Sequence, residues 1–195
     1  GDRFEEPILL IKTAWGGKSL FRDFRPPSAG LPDAEVLNSQ LVKERKRQPE
    51  KTLNEVKDSY GFYYREMINE VEETLANIGD FVPSYNAELG YEIAGFVWFQ
   101  GWNDMMKPEF VAAYTDNMAH FIRDVRNDLR RPSLPFVVGV LGVGGVQGQR
   151  TSEKKEEFKR NQVAVGAMEE FKGNVAIVHT DRLWDTEADA VFTKG

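Results

Sequence analysis

The order of elements predicts an α/β fold, a three-layer α/β/α doubly wound parallel sheet, and three observations carry that expectation. Four short apolar runs alternate with longer stretches whose apolar residues recur every three or four positions. The runs are apolar throughout instead of alternating, which marks strands covered on both faces. Three of them end in polar or glycine-rich loops, which a parallel sheet gathers at the edge where open α/β folds hold ligands.

The first run is Pro7-Ile-Leu-Leu-Ile-Lys-Thr13, read as a buried strand that ends in Ala14-Trp-Gly-Gly-Lys-Ser-Leu20. Its paired glycines permit positive φ and close approach of a ligand to the backbone. Residues 22–52 contain Pro26, Pro27, Gly30 and Pro32 and then turn polar, so they read as a long loop, of a length that is usually functional. From Leu53, the positions Val56, Tyr60, Tyr63, Met67, Val71, Leu75 and Ile78 describe one long amphipathic helix, ended by Gly79-Asp80.

The second strand spans 93–99. A helix follows from Pro108, a favoured first-turn residue, with the stripe Phe110, Val111, Tyr114, Met118, Phe121, Ile122, Val125 and Leu129. His120 flanks that stripe and reads as structural. Phe136–Leu141 is the third strand and enters the glycine-rich loop 142–149, whose spacing fits neither a dinucleotide nor a phosphate loop, so it reads as a crevice wall. Thr151 or Ser152 caps the next helix, Asn174–Val178 is the fourth strand, and a final helix starts at Thr186.

Length and composition bound the function. At 195 residues with 41% hydrophobic content, the chain suits a single domain over 1–195. A net charge of −6 and the lack of a basic stripe exclude a nucleic-acid partner; Lys43–Arg47 is a short, interrupted basic run. Without cysteine there is no disulfide, thiolate metal site or cysteine nucleophile. No apolar run approaches the roughly 18 residues of a membrane span. No His/Asp/Glu cluster has ligand spacing, so neither metal nor cofactor is expected.

The chemistry concentrates in Gly95-Phe-Val-Trp-Phe-Gln-Gly-Trp-Asn-Asp104. At the carboxyl end of a buried strand, Gln100 and Asn103 place two amide donors where an oxyanion hole for acyl transfer would sit. The alternative is that they simply close the strand-to-helix turn. Trp15 and Trp102, at strand ends, offer aromatic faces to a sugar, whereas Trp98 lies within the strand and reads as core.

Two segments, Ile8–Leu20 and Val97-Trp-Phe-Gln-Gly-Trp-Asn-Asp104, resemble the sialate O-acetylesterase and carbohydrate esterase group of the SGNH (GDSL-like) hydrolases, close relatives of the acetylxylan esterases. The resemblance covers almost the whole chain and implies a flavodoxin-like sheet and serine-type hydrolysis of acetyl esters on sugars. It implies that Gly17 (with Gly16 beside it) matches the oxyanion glycine block, that Asn103 is the oxyanion side chain, and that Gln100 matches the glutamine of the carbohydrate-esterase branch. That branch usually reads Gly-Glu-x-Asp after the glutamine, so Trp102-Asn103 is a departure and leaves the roles of Gln100 and Asn103 open. The implied catalytic set is therefore Gly17, Gln100 and Asn103, with Trp15, Gly16 and Trp102 toward substrate.

The resemblance also implies a nucleophile in a Gly-Gln-Ser-Asn or Gly-Asp-Ser segment and a base in Asp-x-x-His, and the sequence contains none of these. The expectation is an internal piece of the domain, incomplete at both ends, with one strand missing between its first two strands. Members of the group are often exported; localisation, oligomeric state and the identity of the acetylated sugar stay open. Two other readings compete. In one, Ser19 works with His179 and Asp181 or Asp185 as a self-contained esterase. In the other, the chain is a non-catalytic carbohydrate-binding or scaffold domain that keeps the crevice.

Overall fold

A computed structural model describes residues 7–146 and 152–184. The far end of the glycine-rich loop, Thr151, Asp185 and the helix expected from Thr186 lie outside the described residues. In chain order the elements are α1 (Ala34–Arg45), α2 (Leu53–Ser59), α3 (Phe62–Ala76), α4 (Ile78–Phe81), β1 (Phe96–Trp98), α5 (Trp102–Met105), α6 (Pro108–Asp128), β2 (Phe136–Val140), α7 (Glu153–Ala164) and β3 (Val175–His179).

The chain is α/β. Its strands form one parallel sheet in the order β1-β2-β3, with Phe96 opposite Phe136 and Phe136 opposite Val175. Successive right-handed crossovers that step in one direction put their helices on one face. The contacts agree: Phe96 and Trp98 meet Phe121 of α6, and Gly166, just after α7, lies against Ile177. Of the three expected layers, the described residues supply the sheet and one helical layer. The opposite sheet face is open, with Val97 71% and Phe99 60% exposed and Val178 also exposed.

The long helix α6 matches its sequence stripe position for position, and Phe110 through Leu129 on that stripe are all buried. Pro108 occupies its first turn. Burial of its aromatic and aliphatic side chains against the sheet is worth about 1.5–3 kcal/mol apiece. A smaller cluster joins Phe21, Leu37, Val56, Tyr60 and Phe110, with the rings of Phe21 and Phe110 stacked 4.2 Å apart.

Three expectations are corrected. Residues 7–13, expected as a strand, form none; Leu10 is 87% exposed. A strand needs a partner for its N–H and C=O groups, and hydrophobicity alone does not supply one. The helix expected over 53–78 is broken at Gly61, whose φ is +67°. Its N–H donates to Arg22 O at 2.7 Å, and a Cβ there would stand 2.6 Å from Arg25 O. The docked 22–25 turn therefore dictates the break. Finally, the stretch 22–52 holds helix α1, whose one buried residue, Leu37, gives too weak a stripe to read.

Candidate active site

At the carboxyl end of β1 the chain leaves the sheet through Gln100 and Gly101 and enters the single turn α5. Gly101 has φ +154°, and a Cβ there would lie 2.6 Å from Phe158 Cε1. Only glycine lets the turn pack this tightly on α7. From α7 the buried Gln162 donates from Nε2 to Gln100 O at 3.1 Å and accepts Leu141 N–H at 3.0 Å, tying the ends of β1 and β2 together.

Opposite this turn stands a second one, residues 16–24. Ser19 O accepts the N–H groups of Asp23 and Phe24, while Asp23 Oδ2 accepts both Ser19 N–H and Ser19 Oγ–H at 2.9 Å. The two turns meet through Asp104, which is 0% exposed. Its Oδ2 accepts Leu20 N–H at 2.8 Å and Gln100 Nε2 at 2.7 Å, and its Oδ1 accepts Phe21 N–H at 2.9 Å. Burial pushes this carboxyl up to about 6, against the opposing pull of the Gln100, Phe21 and Leu20 N–H donors, and the nearby Asp23 adds to the rise.

This arrangement brings two of the three implied catalytic residues side by side. Asn103 Nδ2 lies 3.8 Å from the point where a Cβ on Gly17 would stand, and Gly17 has φ +74°. The Asn103 side chain has no hydrogen-bond partner among the described residues. Gln100 differs. Its Nε2 donates to both Lys18 O, at 2.9 Å, and Asp104, so its donors are spent on joining the turns. Its Oε1 is buried without a partner.

The three substrate-side residues separate. Trp102 is 52% exposed next to Asn103, and nothing crowds Gly16. Trp15 is half-buried, 5.1 Å from the Tyr63 ring and 6.0 Å from Phe24, so it belongs partly to the core. Lys18 Nζ sits over Tyr63, 4.1 Å from the ring centre.

The Ser19 alternative is not assembled. Ser19 is buried and its hydroxyl is held by Asp23. His179 ends β3, which lies beyond β2, two strand spacings or roughly 10 Å from β1. There its Nδ1 stands 3.7 Å from Asp181, whose other oxygen pairs with Lys159 at 2.8 Å. These groups and Gly145 border a separate concavity of about 450 Å³. Gly142 packs against Thr180 between the ends of β2 and β3, and the described part of the glycine-rich loop borders this concavity through Gly145 and Val146. His120 accepts or donates at 2.8 Å to Ser28 Oγ, while Ser28 N–H donates to Asp124; together they fasten the 27–29 turn to α6.

Asp104 is the residue that sequence reasoning left without a role. The available signal was an acid between an amide and two methionines, four residues after Gln100, a spacing that returns it to the same side of a helical turn.

Comparison with known proteins adds three findings. The family model described as carbohydrate esterase, sialic acid-specific acetylesterase matches residues 2–194. A probable carbohydrate esterase of Arabidopsis thaliana is 30% identical over 76 residues, 39% of this chain and 29% of that protein. An X-ray structure of a protein from Arabidopsis thaliana aligns with a TM-score of 0.44 at 24% identity, over 60% of this chain and 40% of the other. Both matches are to the same Arabidopsis protein, and they span well under two thirds of its length.

Proposed function

The chain belongs to the sialic acid-specific acetylesterase family of carbohydrate esterases, and on that premise we propose that it carries the oxyanion-binding part of a serine-type esterase for O-acetyl groups on carbohydrate. The observation that carries this reading is the free Asn103 amide beside the Gly17 backbone at the carboxyl end of β1. An acetyl carbonyl oxygen placed between Gly17 N–H and Asn103 Nδ2 gains charge as a nucleophile attacks its carbon. Both donors then bind the oxyanion more strongly than the neutral ester, which lowers the barrier. Gln100 acts one step back, holding Lys18 and Asp104. Trp102 offers its exposed face to the sugar ring.

The attacking serine and its histidine base belong, in this reading, to Gly-Gln-Ser-Asn and Asp-x-x-His segments that this sequence does not contain. The locked Ser19 hydroxyl favours a second reading, a domain that binds acetylated carbohydrate without turning it over. One pair of experiments separates them. In a form of the protein that carries those two segments, hydrolysis of p-nitrophenyl acetate well above buffer supports turnover, and Asn103→Ala should then lower kcat by about 10²–10³-fold. A titration of O-acetylated sialic acid should move the Gly17 amide and Asn103 side-chain NMR signals under either reading. If neither signal moves, the oxyanion assignment is wrong.

A further inference from the structure

We propose that Asp104 is a positioning residue: its buried carboxylate sets the separation between the Gly17 amide and the Asn103 side chain by clamping the 16–24 turn to the 100–105 turn. The catalytic meaning of this clamp rests on the oxyanion reading above; its geometry does not. Asp104 follows Asn103 directly, and its two oxygens take the consecutive N–H groups of Leu20 and Phe21, three and four residues beyond Gly17. Gln100 supplies the remaining tie, donating to Asp104 and to Lys18 O, the residue next to Gly17. Behind the clamp, Phe158 and Gln162 fix Gly101 and the end of β1. The 100–105 turn is therefore anchored to the sheet, and the glycine turn is hung from it by hydrogen bonds to one carboxylate and one amide.

The site calls for an acceptor with no donor of its own. Two backbone N–H groups and an amide N–H converge on two oxygens, so an asparagine of the same shape must turn an N–H toward one of them. Protonation of Asp104 has the same effect. Among the described residues the charge faces no cation: its hydrogen-bond partners are N–H groups, and the titratable groups bearing on it are Asp23, in the 16–24 turn, and Tyr114, on α6. With the carboxyl raised to about 6, the clamp titrates in a range where the fold can be followed.

The test is an NMR pH titration of the isotopically labelled chain between about pH 4 and pH 8. The Leu20 and Phe21 amides should titrate with the Asp104 carboxyl carbon, and Gly17 N–H and the Asn103 side-chain amide should share that midpoint. In Asp104→Asn the shared titration should vanish. A Gly17 amide and an Asn103 signal that stay flat while Leu20 and Phe21 titrate would overturn the proposal. Because the wild-type titration alone decides this, a variant that fails to fold does not remove the test. The esterase reading fails separately, if acetylated sugar moves neither donor while the pH titration still does. In a form that turns over ester, Asp104→Asn should lower kcat about tenfold or more with KM nearly unchanged, and an unchanged kcat would count against the clamp.

Discussion

A carboxylate held by N–H groups without a cation stabilises the site's shape and costs the fold free energy. Asp104 has its proton affinity raised to about 6 in the folded chain, above its ordinary value near 4. Between those values the folded state holds more protons at this group than the unfolded one, so its contribution to stability is greatest below about pH 4 and is lost as pH rises through about 6. The size of the loss from this one group is about 3 kcal/mol. In urea unfolding the stability difference between the wild type and Asp104→Asn should shift in favour of the variant as pH rises from about 4 to 6; a difference that stays constant across this window would contradict the assignment. At this scale the sequence was readable in part. The motif Gln-Gly-Trp-Asn-Asp pointed to amides at a strand end, and Asn103 lies beside Gly17 with no side-chain hydrogen bond among the described residues. What distinguishes Gln100 from Asn103 is a partner more than 80 residues away in the chain, Lys18 O, and no local spacing encodes that.

Helix α6 was legible because a single stripe decides its fate, from Phe110 to Leu129, all buried on the same side. The region 53–78 carries an equally regular stripe and still breaks, because the Arg22 and Arg25 carbonyls occupy the space at Gly61. Periodicity records which face is buried; it does not record that another segment needs a backbone N–H in the middle of it. Gly61→Ala forces a Cβ to 2.6 Å from Arg25 O at φ +67° and should destabilise the chain by about 2–3 kcal/mol in thermal or urea unfolding. A neutral effect would show that the break is not imposed by that contact. The stretch 7–13 failed as a strand for the complementary reason: its residues have strand character, but strand structure belongs to pairs of segments.

For the molecule as a whole, the parallel order of three strands was legible from the alternation of strand and helix, with the stripe of α6 marking the first crossover and a capped polar helix, α7, the second. The open face was not, because a run such as Phe96-Val-Trp98 reads as apolar on both sides whatever covers it. Val97, Phe99 and Val178 form an exposed apolar surface on that face, and Phe99 lies across Gly139. Surfaces of this kind bind apolar dyes and promote association. The chain should therefore bind anilinonaphthalene sulfonate while folded, and Val97→Thr should reduce dye binding with little change in unfolding midpoint. Equal dye binding by both would place the apolar surface elsewhere.

The bonds from Asp104 to Leu20 and Phe21 span 84 and 83 residues of chain, roughly twice the separation that pairs β1 with β2. Closing the longer loop costs only about 0.6 kcal/mol more for a doubling of length, so the clamp is affordable at equilibrium. Its history is another matter. Contacts distant in sequence form late, and the turn, although Leu20, Phe21 and Phe24 are packed in the core, reaches the end of β1 through only three polar bonds, which can open while the sheet stays paired. Native-state hydrogen exchange should find the Leu20 and Phe21 amides opening at lower free energy than Val138 and Val140, and equal opening energies would mean that turn and sheet unfold as one. On the expected outcome, the half of the site that carries Gly17 forms after the sheet and opens before it.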